Sequence, residues 1–211
     1  MWIVVAGVGA LVLVLAWVCY RRMTTKPVSG PGTKRVLVVL GSGGHTAEML
    51  AMCSSLDQNR YQPVWVVADT DKTSLPRLQR EKKLGLLNAS QQSTRVIPRS
   101  REVGQSWLST LFTTAKASWF AVQLVWDERP DLVLLNGPGT GVPILLGAML
   151  LRVWLGGRPG SPKIIFIESF CRVDSLSMTG KICYPVVDRF IVQWPQLLQA
   201  YPRAEYLGVI F

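Results

Sequence analysis

Short apolar runs alternate with stretches of helical apolar spacing along most of this chain. The apolar runs lie at residues 36–40, 64–68, 95–97, 132–135, 163–168 and 189–193. Several are apolar at consecutive positions, which is typical of strands covered on both faces in a parallel sheet. Helical spacing is clearest at 46–56, 107–126 and 142–155. This alternation predicts βαβ units and a doubly wound α/β fold with a parallel sheet.

The first segment of the chain is apolar without periodicity. Residues 2–20 carry no charge and are long enough for one transmembrane helix. A cleavable signal peptide is the alternative, but it would have a basic start, a shorter apolar core and a small-residue cleavage site. Only Met1 precedes the run, and residues 17–20 make a poor cleavage site. We therefore expect a transmembrane anchor at 1–21, a basic linker at 22–34 and a Rossmann-like domain at 35–211.

Charge sets the expected orientation of that anchor. Five basic residues follow the apolar run before any acidic residue occurs: Arg21, Arg22, Lys26, Lys34 and Arg35. The positive-inside rule then places the N-terminus in the lumen or outside and the domain in the cytosol, with the basic cluster against anionic headgroups. The formal net charge is +10, but the other basic residues are scattered. This favours a membrane surface or a phosphorylated substrate over nucleic acid.

The four cysteines give no sign of a metal site or a disulfide framework. None of them forms a CxxC pair, and one lies in the expected anchor. Reduced thiols in the cytosol fit this pattern, and we expect no metal ligand from this chain.

The motif Gly-Ser-Gly-Gly-His at 41–45 joins the first predicted strand to a predicted helix. A strand, a glycine turn and a helix N-terminus bring backbone N–H groups together around an anion, usually a phosphate. Turn geometry alone is the alternative, but three glycines in four positions beside the only histidine favour a diphosphate site. His45 could contact the substrate as imidazolium, act as a general base, or order its loop.

Polar residues follow each of the first five predicted strands. They lie at 41–45, 69–71, 98–102, 136–141 and 168–172. Because ligands of open α/β sheets bind beyond the carboxyl ends of the strands, we expect a ligand cleft there. The second glycine loop, 136–141, opens into a helix at Pro143, a residue suited to a first helical turn. Paired with the first loop, it favours an anion site over simple turn geometry.

Charged residues at these strand ends leave several roles open. Glu168 ends a buried strand, where a carboxylate is costly unless it is paired or hydrogen-bonded. It could bind sugar hydroxyls, take a proton, or pair structurally with Arg172. Arg99 and Arg101 suit a diphosphate, unless Glu102 merely neutralises them.

A dinucleotide-binding fingerprint is the competing interpretation of the first loop. That fingerprint needs a glycine where Thr46 stands, although Asp69 and Asp71 lie near the position of a ribose-binding acid. A Walker A lysine is absent, which excludes a P-loop nucleotidase. A membrane-tethered NAD-dependent oxidoreductase stays an alternative, as does a pure membrane scaffold without substrate contacts.

Seven strings follow one another in a fixed order behind the apolar N-terminal run: GSGGH (41–45), ADTD (68–71), IPRSREVGQSW (97–107), DLVLLNGPGTGVP (131–143), ESFCRV (168–173), SMTGK (177–181) and FIVQWP (190–195). Together they closely resemble the Alg-fourteen family, the membrane-anchored subunits of the two-chain UDP-N-acetylglucosamine transferase of N-glycan assembly. The resemblance covers the whole chain and is least typical at 71–93.

The resemblance implies the N-terminal, acceptor-binding half of a GT-B glycosyltransferase, similar to that of the bacterial lipid II-forming enzyme. It implies transfer of the second N-acetylglucosamine, in β-1,4 linkage, from UDP-GlcNAc to dolichol-diphosphate-GlcNAc on the cytosolic face of the endoplasmic reticulum. The partner would be a soluble catalytic subunit of the Alg-thirteen family, which holds most of the donor. The chain would be a single-pass membrane protein with a lumenal N-terminus, would bind no cofactor, and would be inactive alone.

The resemblance also implies a set of site residues. His45 and Glu168 are the catalytic candidates. The candidates for binding the acceptor diphosphate and sugar are Ser42, Gly43, Gly44, His45, Arg99, Arg101, Asn136, Gly137, Gly139, Thr140, Ser169 and Arg172. The apolar end at 206–211 would close the sheet as an edge strand, dock the donor half, or do both. The helix at 107–126 is expected to contact the membrane interface in part, and the helix at 142–155 to lie in the core.

Overall fold

A computed structural model of the chain describes residues 32–209, apart from 58, 86, 88–92, 101–104 and 159. The described residues form one parallel sheet with the strand order β3-β2-β1-β4-β5-β6-β7. The strands are β1 (Lys34–Val39), β2 (Tyr61–Ala68), β3 (Ser93–Ile97), β4 (Leu132–Asn136), β5 (Lys163–Ile167), β6 (Arg189–Val192) and β7 (Ala204–Tyr206). This confirms the predicted α/β class and parallel sheet.

Helices connect these strands and cover both faces of the sheet. They are α1 (Gly44–Ser54), α2 (Ser74–Lys83), α3 (Trp107–Glu128), α4 (Gly141–Trp154), α5 (Met178–Cys183) and α6 (Leu197–Ala200). Met49 of α1 and Leu78 of α2 are buried with Trp65 of β2 on one face. Ile144 of α4 is buried with Phe166 of β5 on the other face, together with α3 and α5. The two apolar layers make the sheet inaccessible from either side.

The strand order reverses between β1 and β4. β1 pairs with β2 on one side and with β4 on the other, so the connections that follow β1 and β4 leave the sheet side by side. In doubly wound folds this switch point is where a crevice opens beyond the carboxyl ends of the strands. The two glycine loops predicted from the sequence are these two connections.

The sequence located most elements within a few residues, with three differences. Helix α2 was not predicted, and neither were the short helices α5 and α6. The last edge strand lies at Ala204–Tyr206, earlier than the expected 206–211. β1 begins at Lys34, the last residue of the expected linker. The expected anchor at 1–21 lies outside the described residues.

Helix α4 lies in the core, as expected for 142–155, but its outer side is apolar as well. Its inner side is buried, and Gly147 brings it close to α3, since a Cβ there would lie 3.1 Å from the carbonyl oxygen of Ala121. Its outer side is exposed at four apolar residues: Leu146, Leu150, Val153 and Trp154. On α3, Phe112 is 77% exposed, so the outer surface of the neighbouring helix is apolar too. None of the helices in the described part of the chain is both long and apolar enough to span a bilayer.

Candidate functional site

The two glycine loops are in direct contact at the switch point. A Cβ at Gly41 would lie 2.6 Å from Cγ of Pro138, which is closer than real Cβ contacts come. Gly137 lies against the ring of His45, where a Cβ would stand 2.7 Å from Nδ1 and 3.0 Å from Nε2. Gly137 also has a φ of +43°, a backbone conformation that favours glycine. These two glycines are therefore required by the contact between the loops.

Three more glycines of the two loops, Gly43, Gly44 and Gly139, face open space, whereas Gly141 packs against Leu135. A Cβ at Gly43 or Gly44 would meet no atom within 4 Å, and one at Gly139 would meet only Oγ of Ser100, at 3.5 Å. At Gly43 the φ of +71° still favours glycine, but at Gly44 no such constraint applies. At these three positions the loops therefore leave room for a ligand to approach the backbone.

The helices that follow the two loops start without a side-chain cap. Neither Gly43, which precedes α1, nor Thr140, which precedes α4, caps its helix with a side chain, although the hydroxyl oxygen of Thr73 accepts from the N–H of Gly43 at 3.4 Å. By contrast, Ser106 caps α3 and Ser177 caps α5. A helix N-terminus has backbone N–H groups without intrahelical partners and a partial positive charge. The starts of α1 and α4 are therefore suited to an anion.

A cleft of about 140 Å³ opens between the loops and the ends of β2 and β3. Arg99 forms its far wall. The guanidinium of Arg99 donates hydrogen bonds to Oγ1 of Thr70 at 3.1 Å and to Oγ of Ser42 at 3.4 Å. The cleft thus joins a fixed cation to two helix N-termini. Its lining comprises Leu40, Gly41, Ser42, His45, Ala68, Asp71, Arg99, Ser100, Pro138, Gly139 and Thr140.

His45 is held by a chain of hydrogen bonds that runs away from the cleft. Its Nδ1 lies 2.9 Å from Oδ1 of Asn136, and Nδ2 of Asn136 donates to Oε2 of Glu48 at 3.0 Å. Oε1 of Glu48 accepts from Oγ of Ser169 at 2.9 Å. Three predicted site residues, His45, Asn136 and Ser169, are brought together by Glu48, which the sequence analysis did not select.

The network shifts the ionisation of both of its titratable members. Interaction with the Glu48 carboxylate, 3.8 Å from Nδ1, is the main reason that the pKa of His45 lies above its ordinary value. The hydrogen bond to Asn136 and the nearby charge of Glu168 add to this, against the effect of burial. Burial also disfavours the ionised form of Glu48, but hydrogen bonds with His45, Asn136 and Ser169 outweigh it and lower the pKa of this carboxyl. The network therefore favours the protonated form of His45 and the ionised form of Glu48.

Glu168, the other catalytic candidate, is fully buried and occupied by the chain itself. Its Oε1 accepts from the backbone N–H of Ser169 at 3.0 Å. Its Oε2 accepts from the N–H and the hydroxyl of Ser177, at 2.8 and 3.0 Å. The expected structural pairing with Arg172 is wrong, because Ser169 and Ser177 supply the hydrogen bonds and the Arg172 side chain is exposed. The carboxylate fastens the start of α5 to the end of β5.

The acidic residues considered for ribose binding are engaged elsewhere. Oδ1 of Asp71 accepts from the backbone N–H groups of Thr73 and Ser74, and Oδ2 accepts from the Ser74 hydroxyl. Asp71 thus holds the start of α2. The Thr46 hydroxyl, at the position of the third fingerprint glycine, donates to the carbonyl of Gly41. Both contacts count against a dinucleotide site.

The remaining predicted residues divide by position. Gly43 and Gly44 form the exposed start of α1, and Arg172 lies on an exposed loop outside the cleft lining. Arg101 lies outside the described residues. Among the described residues, no three His, Cys, Asp or Glu side chains are placed to hold a metal ion. Glu48 could have been found from its spacing, since residues i and i+3 of a helix share a face and His45 opens the same helix.

Comparison with protein families gives one match over nearly all of the described domain. The family described as "Oligosaccharide biosynthesis protein Alg14 like" matches residues 36–210. A protein of Homo sapiens named UDP-N-acetylglucosamine transferase subunit ALG14 is 45% identical over 97% of this chain and 95% of its own length. The proteins of the same name from Rattus norvegicus and Schizosaccharomyces pombe are 44% and 39% identical, over 97% and 98% of this chain and 94% and 98% of their own lengths.

Solved structures with the same fold are about twice as long as the matched part. MurG of Acinetobacter baumannii superimposes with a TM-score of 0.57 and 21% identity, over 77% of this chain and 42% of that chain. A UDP-N-acetylglucosamine 2-epimerase superimposes with a TM-score of 0.54 and 15% identity, over 79% of this chain and 44% of that chain. The chain therefore spans less than half the length of either structure, and these matches establish the fold.

Proposed function

This chain belongs to the family of Alg14-like oligosaccharide biosynthesis proteins, and from that premise we propose that it is the acceptor-binding subunit of a two-chain N-acetylglucosaminyltransferase. Its relatives carry the name UDP-N-acetylglucosamine transferase subunit. In the proposed reaction, the second N-acetylglucosamine passes in β-1,4 linkage from UDP-GlcNAc to dolichol-diphosphate-GlcNAc. This product is an intermediate of N-glycan assembly.

The observation that carries the proposal is the joined pair of glycine loops around His45. Two uncapped helix starts and the Arg99 guanidinium surround one cleft, which is the arrangement that a diphosphate requires. The open positions beside Gly44 and Gly139 allow the phosphates to approach the backbone. The acceptor sugar would then lie next to His45, with the lipid leaving the cleft towards the membrane.

The proposed chemistry is a single inverting displacement. The 4-hydroxyl oxygen of the acceptor sugar forms a bond to the anomeric carbon of the donor, and the bond from that carbon to UDP breaks. UDP leaves with the electron pair, and Nε2 of His45 takes the hydroxyl proton. The Glu48 carboxylate raises the pKa of His45, which makes the imidazole a stronger proton acceptor.

The donor half is proposed to belong to a separate chain. GT-B folds comprise two Rossmann-like domains, while the described residues of this chain form one sheet that matches 42% of MurG. A soluble subunit of the Alg-thirteen family would supply the other domain and hold UDP-GlcNAc. This chain would bind no cofactor of its own and would be inactive without that partner.

Membrane attachment completes the proposal. Residues 1–21 would anchor the chain in the endoplasmic reticulum membrane as a single pass, with the N-terminus in the lumen and the domain on the cytosolic face. Anchoring raises the effective concentration of a membrane-borne acceptor at the cleft without new contacts. Protease protection of sealed microsomes tests this topology: the domain should be digested from outside, and its survival would contradict the orientation.

The central experiment is a transferase assay on this chain and its soluble partner, purified separately and together. We expect transfer from radiolabelled UDP-GlcNAc to dolichol-diphosphate-GlcNAc only when both chains are present, with β-1,4 linkage in the released disaccharide. Full activity of either chain alone would overturn the two-chain proposal. Tight binding of NAD by this chain would favour the oxidoreductase alternative instead.

A substitution at Gly44 separates substrate binding from pure scaffolding. A Cβ at this position has open space around it, so Gly44→Val should fold and recruit the partner while it blocks the anion site. The matched control is Ala51→Val, an exposed position two turns along the same helix. We expect recruitment without activity for Gly44→Val and unchanged activity for the control. Full activity of Gly44→Val would favour a scaffold.

A further inference from the structure

Glu48 makes contact with three parts of the site without lining the cleft. It receives hydrogen bonds from Asn136, at the end of β4, and from Ser169, just after β5, while its own helix carries His45. We propose that Glu48 is the positioning residue that fixes the proton of neutral His45 on Nδ1 and thereby leaves Nε2 free to take a proton. This inference rests on the proposed function for its catalytic consequence, but not for the hydrogen-bond arrangement itself.

The direction of each hydrogen bond follows from the chemistry of the groups. An ionised carboxylate only accepts, so the amide nitrogen of Asn136 must face Glu48. The amide oxygen of Asn136 then faces Nδ1 of His45, at 2.9 Å. A carbonyl oxygen also only accepts, so Nδ1 must carry the proton. The charge on Glu48 thus selects the histidine tautomer through one intervening amide.

The arrangement is suited to hold its geometry because Glu48 is buried and fully engaged. The residue is 8% exposed, and both carboxylate oxygens accept hydrogen bonds. Burying a carboxylate is costly unless it is hydrogen-bonded. Movement of Asn136 or Ser169 away from Glu48 would leave a buried charge without a hydrogen bond, so both groups are held in place. Gly137 also restricts the imidazole of His45, because its Cα lies against the ring.

Proton uptake by Nε2 leaves an imidazolium that Glu48 stabilises from 3.8 Å. Three other charged residues of the described part of the chain lie near the ring. Glu168 adds negative charge from the end of β5, and Asp71 and Arg99 line the same cleft from the ends of β2 and β3. Removing the charge of Glu48 should therefore lower the pKa of His45 and move the acidic limb of the activity profile to lower pH.

The substitution Glu48→Gln tests the inference because it keeps the size of the side chain and removes its charge. The new amide can donate to Asn136, which turns that amide around and places its nitrogen against Nδ1. We expect kcat to fall by about tenfold or more, but by no more than the 10²–10⁴-fold that general base catalysis contributes. The KM for the acceptor should change little. The shorter carboxylate of Glu48→Asp should restore part of the loss.

A matched control makes the same glutamate-to-glutamine change away from the site. Glu81 lies on α2, outside the cleft lining, so Glu81→Gln should leave kcat and the pH profile unchanged. In the double variant Glu48→Gln with His45→Asn, the effects should not add, because Glu48 acts through His45. Additive losses, or a wild-type profile in Glu48→Gln, would overturn the proposal.

The tautomer can also be observed without activity. His45 is the only histidine of the chain, so ¹⁵N-histidine labelling of this chain alone, with a histidine-free affinity tag, gives one pair of ring nitrogen signals in the complex. Neutral wild-type protein should show Nδ1–H, and Glu48→Gln should gain Nε2–H. Nε2–H in the wild type would refute the inference even if the transferase is active. Nδ1–H in a complex without transferase activity would refute only the proposed function.

Discussion

Gly41 and Pro138 touch across the switch point, with only 2.6 Å available between a Cβ at position 41 and Cγ of the proline. The second residue after β1 is therefore in contact with the loop that follows β4. Because Gly137 of that loop also lies against His45, the two loops form one structural unit. Substitutions in either loop should therefore change the position of the imidazole.

Replacing Gly137 by alanine should displace the imidazole of His45. The added Cβ would overlap the ring, and the φ of +43° adds strain. We expect kcat to fall by about 10²-fold, the lower end of what a general base contributes. Gly157→Ala is the control, since its φ of +68° gives comparable backbone strain, about 1–2 kcal/mol, in open space. Equal activity of the two variants would contradict a role for this contact.

Replacing Glu168 by glutamine should affect stability more than proton transfer. In the wild type, the backbone N–H groups of Ser169 and Ser177 donate to the Glu168 carboxylate. In the variant, the amide NH₂ group would face one of these donors. We expect a loss of about 2 kcal/mol in the free energy of unfolding, as for hydrogen bonds to charged groups. In a domain of this size this lowers Tm by about 4–8 °C. An unchanged Tm with loss of the pH-dependent limb of activity would instead identify Glu168 as the base.

Replacing Asp71 by asparagine should weaken the pH dependence of stability. Burial alone would raise the pKa of Asp71, but hydrogen bonds from Ser74 and Thr73 outweigh it and lower the pKa. A lowered carboxyl pKa stabilises the fold above the ordinary value of about 3.9 and loses this effect as pH falls through the lowered value. Between pH 5 and pH 3, denaturant titrations should therefore show a larger loss of stability for wild type than for Asp71→Asn. Identical pH slopes would contradict this.

Replacing Arg99 by lysine should weaken acceptor binding more than it slows the reaction. The guanidinium bridges Thr70 and Ser42 with separate nitrogens, which a single ammonium group reproduces poorly. We expect the KM for the acceptor to rise about tenfold, equivalent to about 1.4 kcal/mol, with a smaller change in kcat. Arg80→Lys on α2, outside the cleft lining, should have no such effect. A fall in kcat at unchanged KM would contradict a binding role.

The fold and the location of the site could be predicted because they follow from local patterns. Consecutive apolar residues at 36–40 and 132–135 mark strands buried on both faces, and glycines directly after them mark the connections at the switch point. Helix α2 was missed because only Ser74 and Leu78 are buried in it and most of its residues are polar or charged. The hydrophilic face dominates such a helix.

The internal connections of the site could not be predicted in the same way. The contact between His45 and Asn136 joins residues 91 positions apart, and the contact between Glu48 and Ser169 joins residues 121 apart. Sequence reasoning placed His45, Asn136 and Ser169 at one edge but gave no order among them. For Glu168 it correctly required a partner, yet Ser177 rather than Arg172 supplies it. Arg172 was expected as the partner because it would lie one helical turn after Glu168. The chain instead continues through a loop to the start of α5, where Ser177 lies.

The interlocked loops also constrain when the site can form during synthesis. β1 and α1 emerge early, but the loop that contacts His45 comes from residues 136–140, once four strands have been made. Domains fold as their chains emerge, and pairings between distant segments must wait for the later segment. Until β4 joins β1, the first glycine loop has no opposing loop and His45 has no amide to orient it. A nascent chain shorter than about 140 residues is thus incompletely folded and has no binding site.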